Sequence, residues 1–189
     1  MQLEVDLISG FEEARLIYLG VLSGMPLGNS SHAIVDIGGG STELILADST
    51  DARALTSTRV GAVRLQRDFM KKDPLSPSRL EFLKIFIRGS LEPAVEKICR
   101  RLDRGKQPSL IATSGTAMAI GGLIASEEAS PPIKLHGYSF SRGRLDALVE
   151  KLVKMTPDQR RRLSPLSDRR AEIIVPGALI LQATMHMMD

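Results

Sequence analysis

The 189-residue chain has one cysteine, Cys99, three histidines and no tryptophan. A single thiol excludes an internal disulfide and a cysteine-rich zinc site. His32, His136 and His186 are scattered, and no His-x-x-x-His pair exists to hold a protease metal. Aromatic residues make up only 4%, which argues against a stacking platform for single-stranded nucleic acid. No apolar run is long enough to span a bilayer: the longest, Ile173 to Leu181, is interrupted by Pro176-Gly177. Met1-Gln2-Leu3-Glu4-Val5-Asp6 lacks the basic start of a signal peptide. With no targeting segment and one thiol, the expected compartment is the cytosol. The sequence shows no internal repeat and no low-complexity stretch.

The composition supports one compact domain: 43% of residues are apolar, enough for a core. Lys+Arg 25 against Asp+Glu 22 leaves a formal charge of +3, too small to indicate a specific nucleic-acid partner. The basic residues cluster, however. Arg160, Arg161, Arg162, Arg169 and Arg170 form one group, and Arg100, Arg101, Arg104 and Lys106 a second. Solvated helix surface is the ordinary explanation of both; a track for a polyanion is the sharper one.

Leu3 to Ile8 alternates apolar and polar residues and predicts a short strand. A helix follows, with Ala14, Ile17, Tyr18 and Val21 on one face and Ser9 and Glu12 as a capping box. His32–Ile37, Thr42–Ala47 and Arg53–Val60 read as three strands whose connections are too short for helices, so they are antiparallel neighbours. Gly61–Met70 reads as a short helix. Ser78 is placed to cap a long helix from Arg79 to about Arg101, which Pro93 should kink or split. Ser109–Ala112 is a strand, followed by a small-residue helix from Ala117 to about Ala125. Ser130-Pro131-Pro132 is a loop, Ser141 caps another helix, and Arg169–Met188 is helical with a bend near Pro176-Gly177. This order gives an α/β fold: a mixed sheet with helices on its faces, of ribonuclease-H-like pattern. The single domain divides into an opening strand and helix (1–30), an α/β core (31–165) and a C-terminal helix (166–189).

The chemistry concentrates in three places. In Val35-Asp36-Ile37-Gly38-Gly39-Gly40-Ser41-Thr42-Glu43, no Gly-Lys-Ser/Thr follows the glycines, so it is not a P-loop. A strand rather than a helix follows, so it is a poor dinucleotide fingerprint. It reads as a glycine hairpin in which pairing Ile37 with Thr42 sets Asp36 opposite Glu43, Cβ atoms roughly 4.5–5.5 Å apart. Hydrated Mg²⁺ suits two such carboxylates. Backbone N–H groups of Gly38, Gly39 and Gly40, with Ser41 and Thr42, can form an anion nest. An ordinary glycine-rich hairpin with surface acids is the competing explanation. Second, Thr113-Ser114-Gly115-Thr116 runs from a strand end into a helix start, where phosphate is favoured; alone it equally fits a simple N-cap. Third, Glu13 has no local structural task, whereas Glu12 can close the capping box. Glu13 is therefore the better general-base candidate, although acids in a first helical turn are common. His136 reads as a surface residue, Cys99 as a core thiol, and Met185, Met187 and Met188 as core or interface filler.

Ile8-Ser9-Gly10-Phe11-Glu12-Glu13-Ala14-Arg15-Leu16 resembles the "ISG-x-EEARL" segment of the exopolyphosphatase / guanosine pentaphosphate phosphohydrolase family. Asp36–Glu43, Gly61-Ala62-Val63-Arg64-Leu65, Ala112–Thr116 and Val175-Pro176-Gly177-Ala178 also match, in family order and over nearly the whole chain. The resemblance implies an actin-like, sugar-kinase-like ATPase fold. It implies that Glu13 orients the attacking water, that Asp36 and Glu43 hold Mg²⁺, and that Gly38–Thr42 and Ser114-Gly115-Thr116 contact phosphate. The implied reaction is removal of a terminal phosphate from polyphosphate or from pppGpp. The family's "D-x-G-S-N-S" loop has no counterpart here, so the chain resembles the second of two domains. Its expected partners are the missing first domain and a second copy of itself, and it is expected to turn over weakly or not at all alone. A non-catalytic binding domain and a sugar-kinase-like phosphotransferase are the competing readings; the "EEAR" segment argues against the latter.

Overall fold

Alternation along three adjacent segments builds the sheet. In the computed structural model, which describes residues 5–102, 108–128 and 134–188, β1 (His32–Ile37), β2 (Thr42–Ala47) and β3 (Ala52–Thr58) form an antiparallel meander. β4 (Ser109–Thr113) pairs in parallel with β1, giving the order β3-β2-β1-β4. α1 (Gly10–Gly24) precedes the sheet, and α2 (Ala62–Phe69) and α3 (Pro77–Cys99) connect β3 to β4. α4 (Ser114–Glu128), α5 (Arg142–Leu152), α6 (Pro157–Arg161) and α7 (Asp168–Met187) follow.

The strands are apolar on both sides because both sides are covered. Ile34, Ile45 and Ala47 pack with Ala14, Tyr18 and Val21 of α1. Val35, Ile37, Leu44 and Leu46 point the other way, into the larger core shared with α3, α4, α5 and α7. Because side chains alternate, Asp36 and Glu43 fall on the α1 face. The sheet and helices agree with the α/β expectation.

Several local expectations are corrected. Residues 5–9 form no strand: Val5 and Leu7 are fully exposed, and the alternating pattern lacks a partner edge. Leu3 and the other residues of 1–4 lie outside the described residues. Ser9 does cap α1, its hydroxyl accepting from the Glu12 N–H at 3.2 Å, but Glu12 does not close a box. Its carboxylate takes two bonds from Arg15 instead, at 2.7 and 2.9 Å. Ser76 rather than Ser78 occupies the N-cap position of α3, without a side-chain capping bond, and Pro77 stands in the first turn, where its missing N–H costs nothing. Pro93 sits within one continuous helix and does not split it. The small-residue helix starts earlier, at Ser114. Cys99 is exposed, not a core thiol, because α3 buries Val95 and Ile98 on its inner face. The Ser130–Pro132 loop, Arg104 and Lys106 lie outside the described residues.

Candidate active site

The β1–β2 ladder pairs Ile37 with Thr42 and Asp36 with Glu43, the register that the four-residue connection predicts. Each carboxylate is held by a hydroxyl from the next strand. Thr113 Oγ1 donates to Asp36 Oδ2 at 2.6 Å from β4, and Ser57 Oγ donates to Glu43 Oε1 at 2.7 Å from β3. Both partners lie in register, Thr113 opposite Asp36 and Ser57 opposite Glu43.

α1 starts directly over this pair. A Cβ on Gly10 would lie 2.5 Å from Ser57 Oγ, so glycine is what lets the helix begin against β3. That contact carries Glu13, one turn further on, to the same face. The pKa of Glu43 is raised chiefly because burial disfavours its charged form; the negative charges of Glu13 and Asp36 raise it further, and the Ser57 and Ser41 hydroxyls oppose the shift. The three acids therefore share one electrostatic field, while Glu12 is neutralised by Arg15.

At the end of β1 the glycine turn is clamped from below. Ala62 N–H donates to Gly38 O at 2.9 Å and Arg64 N–H to Gly39 O at 3.0 Å. A Cβ on Gly61 would meet the Gly39 and Gly40 backbone at 2.5 Å, which explains the glycine before α2. The β4–α4 turn lies alongside: Ser114 adopts φ 76°, a left-handed conformation that a non-glycine residue occupies at a cost of about 1–2 kcal/mol. Ser114 Oγ and Thr116 Oγ1 both donate to Ile37 O, at 3.1 and 3.0 Å, and Thr42 Oγ1 donates to Val60 O at 2.5 Å. These hydroxyls are consumed in holding the turns.

Gly38, Gly39, Ser114, Gly115 and Thr116 line one cavity of about 330 Å³. Its opposite wall is the first turn of α7: Ser167, Arg169 and Arg170. A side chain at Gly115 would overlap the Arg170 guanidinium, so this glycine makes room for the arginine. Gly40, Ser41 and Thr42 do not line the cavity. Val175-Pro176-Gly177-Ala178 acts behind it: a Cβ on Gly177 would meet Thr116 Cγ2 at 2.5 Å, so α7 packs directly on the α4 turn.

Residue spacing points to Thr113 only as part of the phosphate turn, not as the donor to Asp36, and does not point to Ser57 or Ser167; the strand register indicates the Thr113 and Ser57 roles. Arg170 belonged to a cluster with two open explanations; it reaches the cavity and Arg169 stands beside it. Arg160 fits neither explanation, being fully buried. Arg161 pairs with Asp158 at 2.6 Å.

The donor set fits a hydrated divalent cation. Asp36 and Glu43 offer hard oxygens side by side, and a cation would relieve the charge crowding at Glu43. Among the described residues no group of three or more His, Cys, Asp or Glu side chains converges as a metal cage, so such an ion would keep several waters.

The carboxylate pair, the tethered glycine turn and the arginine-lined cavity all lie at the carboxyl ends of the parallel strands β1 and β4, where open α/β sheets bind their ligands. The chain belongs to the Ppx/GppA phosphatase family, whose model matches residues 1–189. It is 28% identical over 177 residues to exopolyphosphatase 2 of Mycobacterium tuberculosis, covering 94% of this chain and 54% of that protein. It is 29% identical over 187 residues to the guanosine-5'-triphosphate,3'-diphosphate pyrophosphatase of Aliivibrio fischeri, covering 98% of this chain and 35% of that one. The Ppx/GppA family member of Aquifex aeolicus superposes with a TM-score of 0.81 at 26% identity, over 98% of this chain and 58% of that structure. An exopolyphosphatase from Cytophaga hutchinsonii shares the fold, with a TM-score of 0.84 at 24% identity, over 95% of this chain and 57% of that one. The fold is thus the actin-like, ribonuclease-H-like one. The chain spans about half the length of the exopolyphosphatases it matches.

Proposed function

We propose that this chain carries the carboxylate and phosphate-loop half of an exopolyphosphatase site, which removes the terminal phosphate of inorganic polyphosphate by in-line attack of water. The observation that carries this reading is the pairing of Asp36 with Glu43, in the field of Glu13, directly before the glycine turn, with Ser114 lining both the roughly 600 Å³ cavity that Asp36 and Thr113 face and the roughly 330 Å³ cavity of Gly38, Gly39 and Arg170.

Glu13, with its carboxylate exposed at the rim, accepts the proton of the attacking water. Asp36 and Glu43 would hold Mg²⁺, which when bound screens charge on the phosphoryl oxygens. Because the Gly38 N–H is given to Ser41 O at 3.0 Å, the backbone donors are those of Gly39 and the Ser114–Thr116 turn; with the guanidinium of Arg170 they orient the terminal phosphate, and Arg169 meets the phosphates behind it. Positioning and electrostatics supply most of the acceleration in such chemistry. One wall of a cleft excludes water poorly, so the chain alone turns over weakly and is completed by a facing domain. The same terminal phosphate chemistry serves pppGpp, the second reading, favoured by the similarity to guanosine-5'-triphosphate,3'-diphosphate pyrophosphatases.

The test is phosphate release from long-chain polyphosphate with Mg²⁺. Release that Glu13→Gln abolishes while polyphosphate binding persists supports the reading. Binding without release by either protein supports a binding domain, and neither binding nor release overturns the proposal. Release from pppGpp alone selects the second reading.

A further inference from the structure

Arg160 is fully buried, and its guanidinium gathers separate segments of the chain. Nε donates to Ala171 O at 3.3 Å, in the first turns of α7. Nη1 donates to Met155 O at 2.7 Å and to Leu152 O at 3.5 Å, at the end of α5. Nη2 donates to the carboxylate of Asp73, in the connection between α2 and α3. A buried charge is tolerated when it is paired and hydrogen-bonded; here Arg160 is paired with Asp73 and makes four hydrogen bonds, while Asp73 Oδ1 is buried without a partner among the described residues.

The location matters more than the bonds themselves. Ala171 follows Arg170, and the N–H groups of Arg170 and Ala171 both return to Ser167 O at 2.9 Å. The Arg160 bond to Ala171 O therefore fixes the same helical turn that presents Ser167, Arg169 and Arg170 to the phosphate cavity. The Asp73 end ties that turn to the connection leaving α2, and α2 donates the N–H bonds that clamp the glycine turn across the cavity. The two walls are thus referred to one buried guanidinium. A flexible lysine at this position has three donors on a point charge and lacks the planar fork that reaches all these acceptors.

We infer that Arg160, with Asp73, is a positioning residue of the phosphate site, setting the first turn of α7 so that Arg170 stands over Gly115. The inference rests on the cavity taking phosphate, as proposed above.

The experiment is a double-mutant cycle on the whole chain. Affinity for tripolyphosphate with Mg²⁺ is measured by calorimetry for wild type, Arg160→Lys, Arg170→Ala and the double variant, alongside thermal unfolding. Arg170→Ala is expected to weaken binding about tenfold, the size of one charge-assisted bond. Arg160→Lys is expected to weaken it comparably when Arg170 is present and less than about twofold when Arg170 is already alanine. Equal losses in both backgrounds, or unchanged affinity in a folded Arg160→Lys protein, overturn the inference and leave the cavity reading standing. Binding that Arg170→Ala leaves unchanged removes both. Should Arg160→Lys fail to fold, Asp73→Asn, which keeps the three carbonyl bonds, runs the same cycle: a loss confined to the Arg170 background supports the inference, and equal losses or none overturn it.

Discussion

Gly10 lies against Ser57, and through this contact the first turn of α1 is seated over Glu43. Ser57 serves two purposes at once: its side chain supports the helix start and its hydroxyl donates to the Glu43 carboxylate at 2.7 Å. Glu13, proposed to activate the water, and Glu43, proposed to hold the metal with Asp36, are therefore connected by one small residue on each side.

This connection sets opposite signs for two substitutions. Glu13→Gln removes a negative charge that raises the Glu43 pKa, so the Glu43 midpoint should fall. Ser57→Ala removes a hydrogen bond that stabilises the charged form, so the midpoint should rise. Carboxyl-carbon NMR titration of the three proteins measures both, and shifts of the same sign contradict the arrangement.

Stability should follow the same group. The folded protein holds the Glu43 proton more tightly than the unfolded chain does. Its charge therefore costs nothing below the ordinary carboxylate pKa of about 4.3. The cost develops as pH rises from there to the raised folded value, and stays constant above it. Glu43→Gln should stabilise the metal-free protein above that window and have little effect below it. Mg²⁺ should raise the unfolding temperature of wild type above the window and leave Glu43→Gln nearly unmoved. Thermal melts across pH with and without Mg²⁺ provide the check.

Thr113→Val keeps the shape of the β4 end but strips Asp36 of its 2.6 Å donor. Hydrogen bonds to charged groups are worth about 1.5–3 kcal/mol, so Mg²⁺-dependent tripolyphosphate affinity should fall roughly tenfold or more. Calorimetry reads the loss; the same bond stabilises the unliganded fold, so the unfolding temperature should fall as well, and an unchanged circular dichroism spectrum shows that the fold is kept.

Glycine positions separate crowding from flexibility. Gly61→Ala places a methyl 2.5 Å from the Gly39 and Gly40 backbone and should destabilise by at least about 1–3 kcal/mol. Gly89→Ala meets nothing within 4 Å in the interior of α3 and should stabilise by about 0.5–1 kcal/mol. Urea unfolding of both variants tests the contrast.

The sheet was legible because its signals are local. Three strands separated by short connections leave one antiparallel arrangement, and the length of the glycine connection determines that Asp36 opposes Glu43. Hydroxyl partners on β3 and β4 follow from the register but carry no signal of their own. The N-terminal alternation misled because a strand pattern says nothing about whether an edge is available, and Val5 and Leu7 have none. Ser78 misled because the competing Ser76 is followed by Pro77, which fits a first helical turn. Arg160 was invisible for a deeper reason. In a run of arginines it reads as surface, and its burial is decided by Asp73, 87 residues earlier, and by carbonyls that only the folded chain exposes to it. Glu13 was identified chiefly by the resemblance of its segment to a family, since spacing alone leaves an acid in a first helical turn ambiguous.

The central claim is that one charged site on this chain gathers metal, carboxylates and phosphate. Calorimetric titration of tripolyphosphate into wild type and Asp36→Asn, each with and without Mg²⁺, tests it most directly. Wild type should bind only with Mg²⁺ present, and Asp36→Asn should lose that dependence together with most of the affinity. Equal binding by both proteins, with or without Mg²⁺, would contradict it.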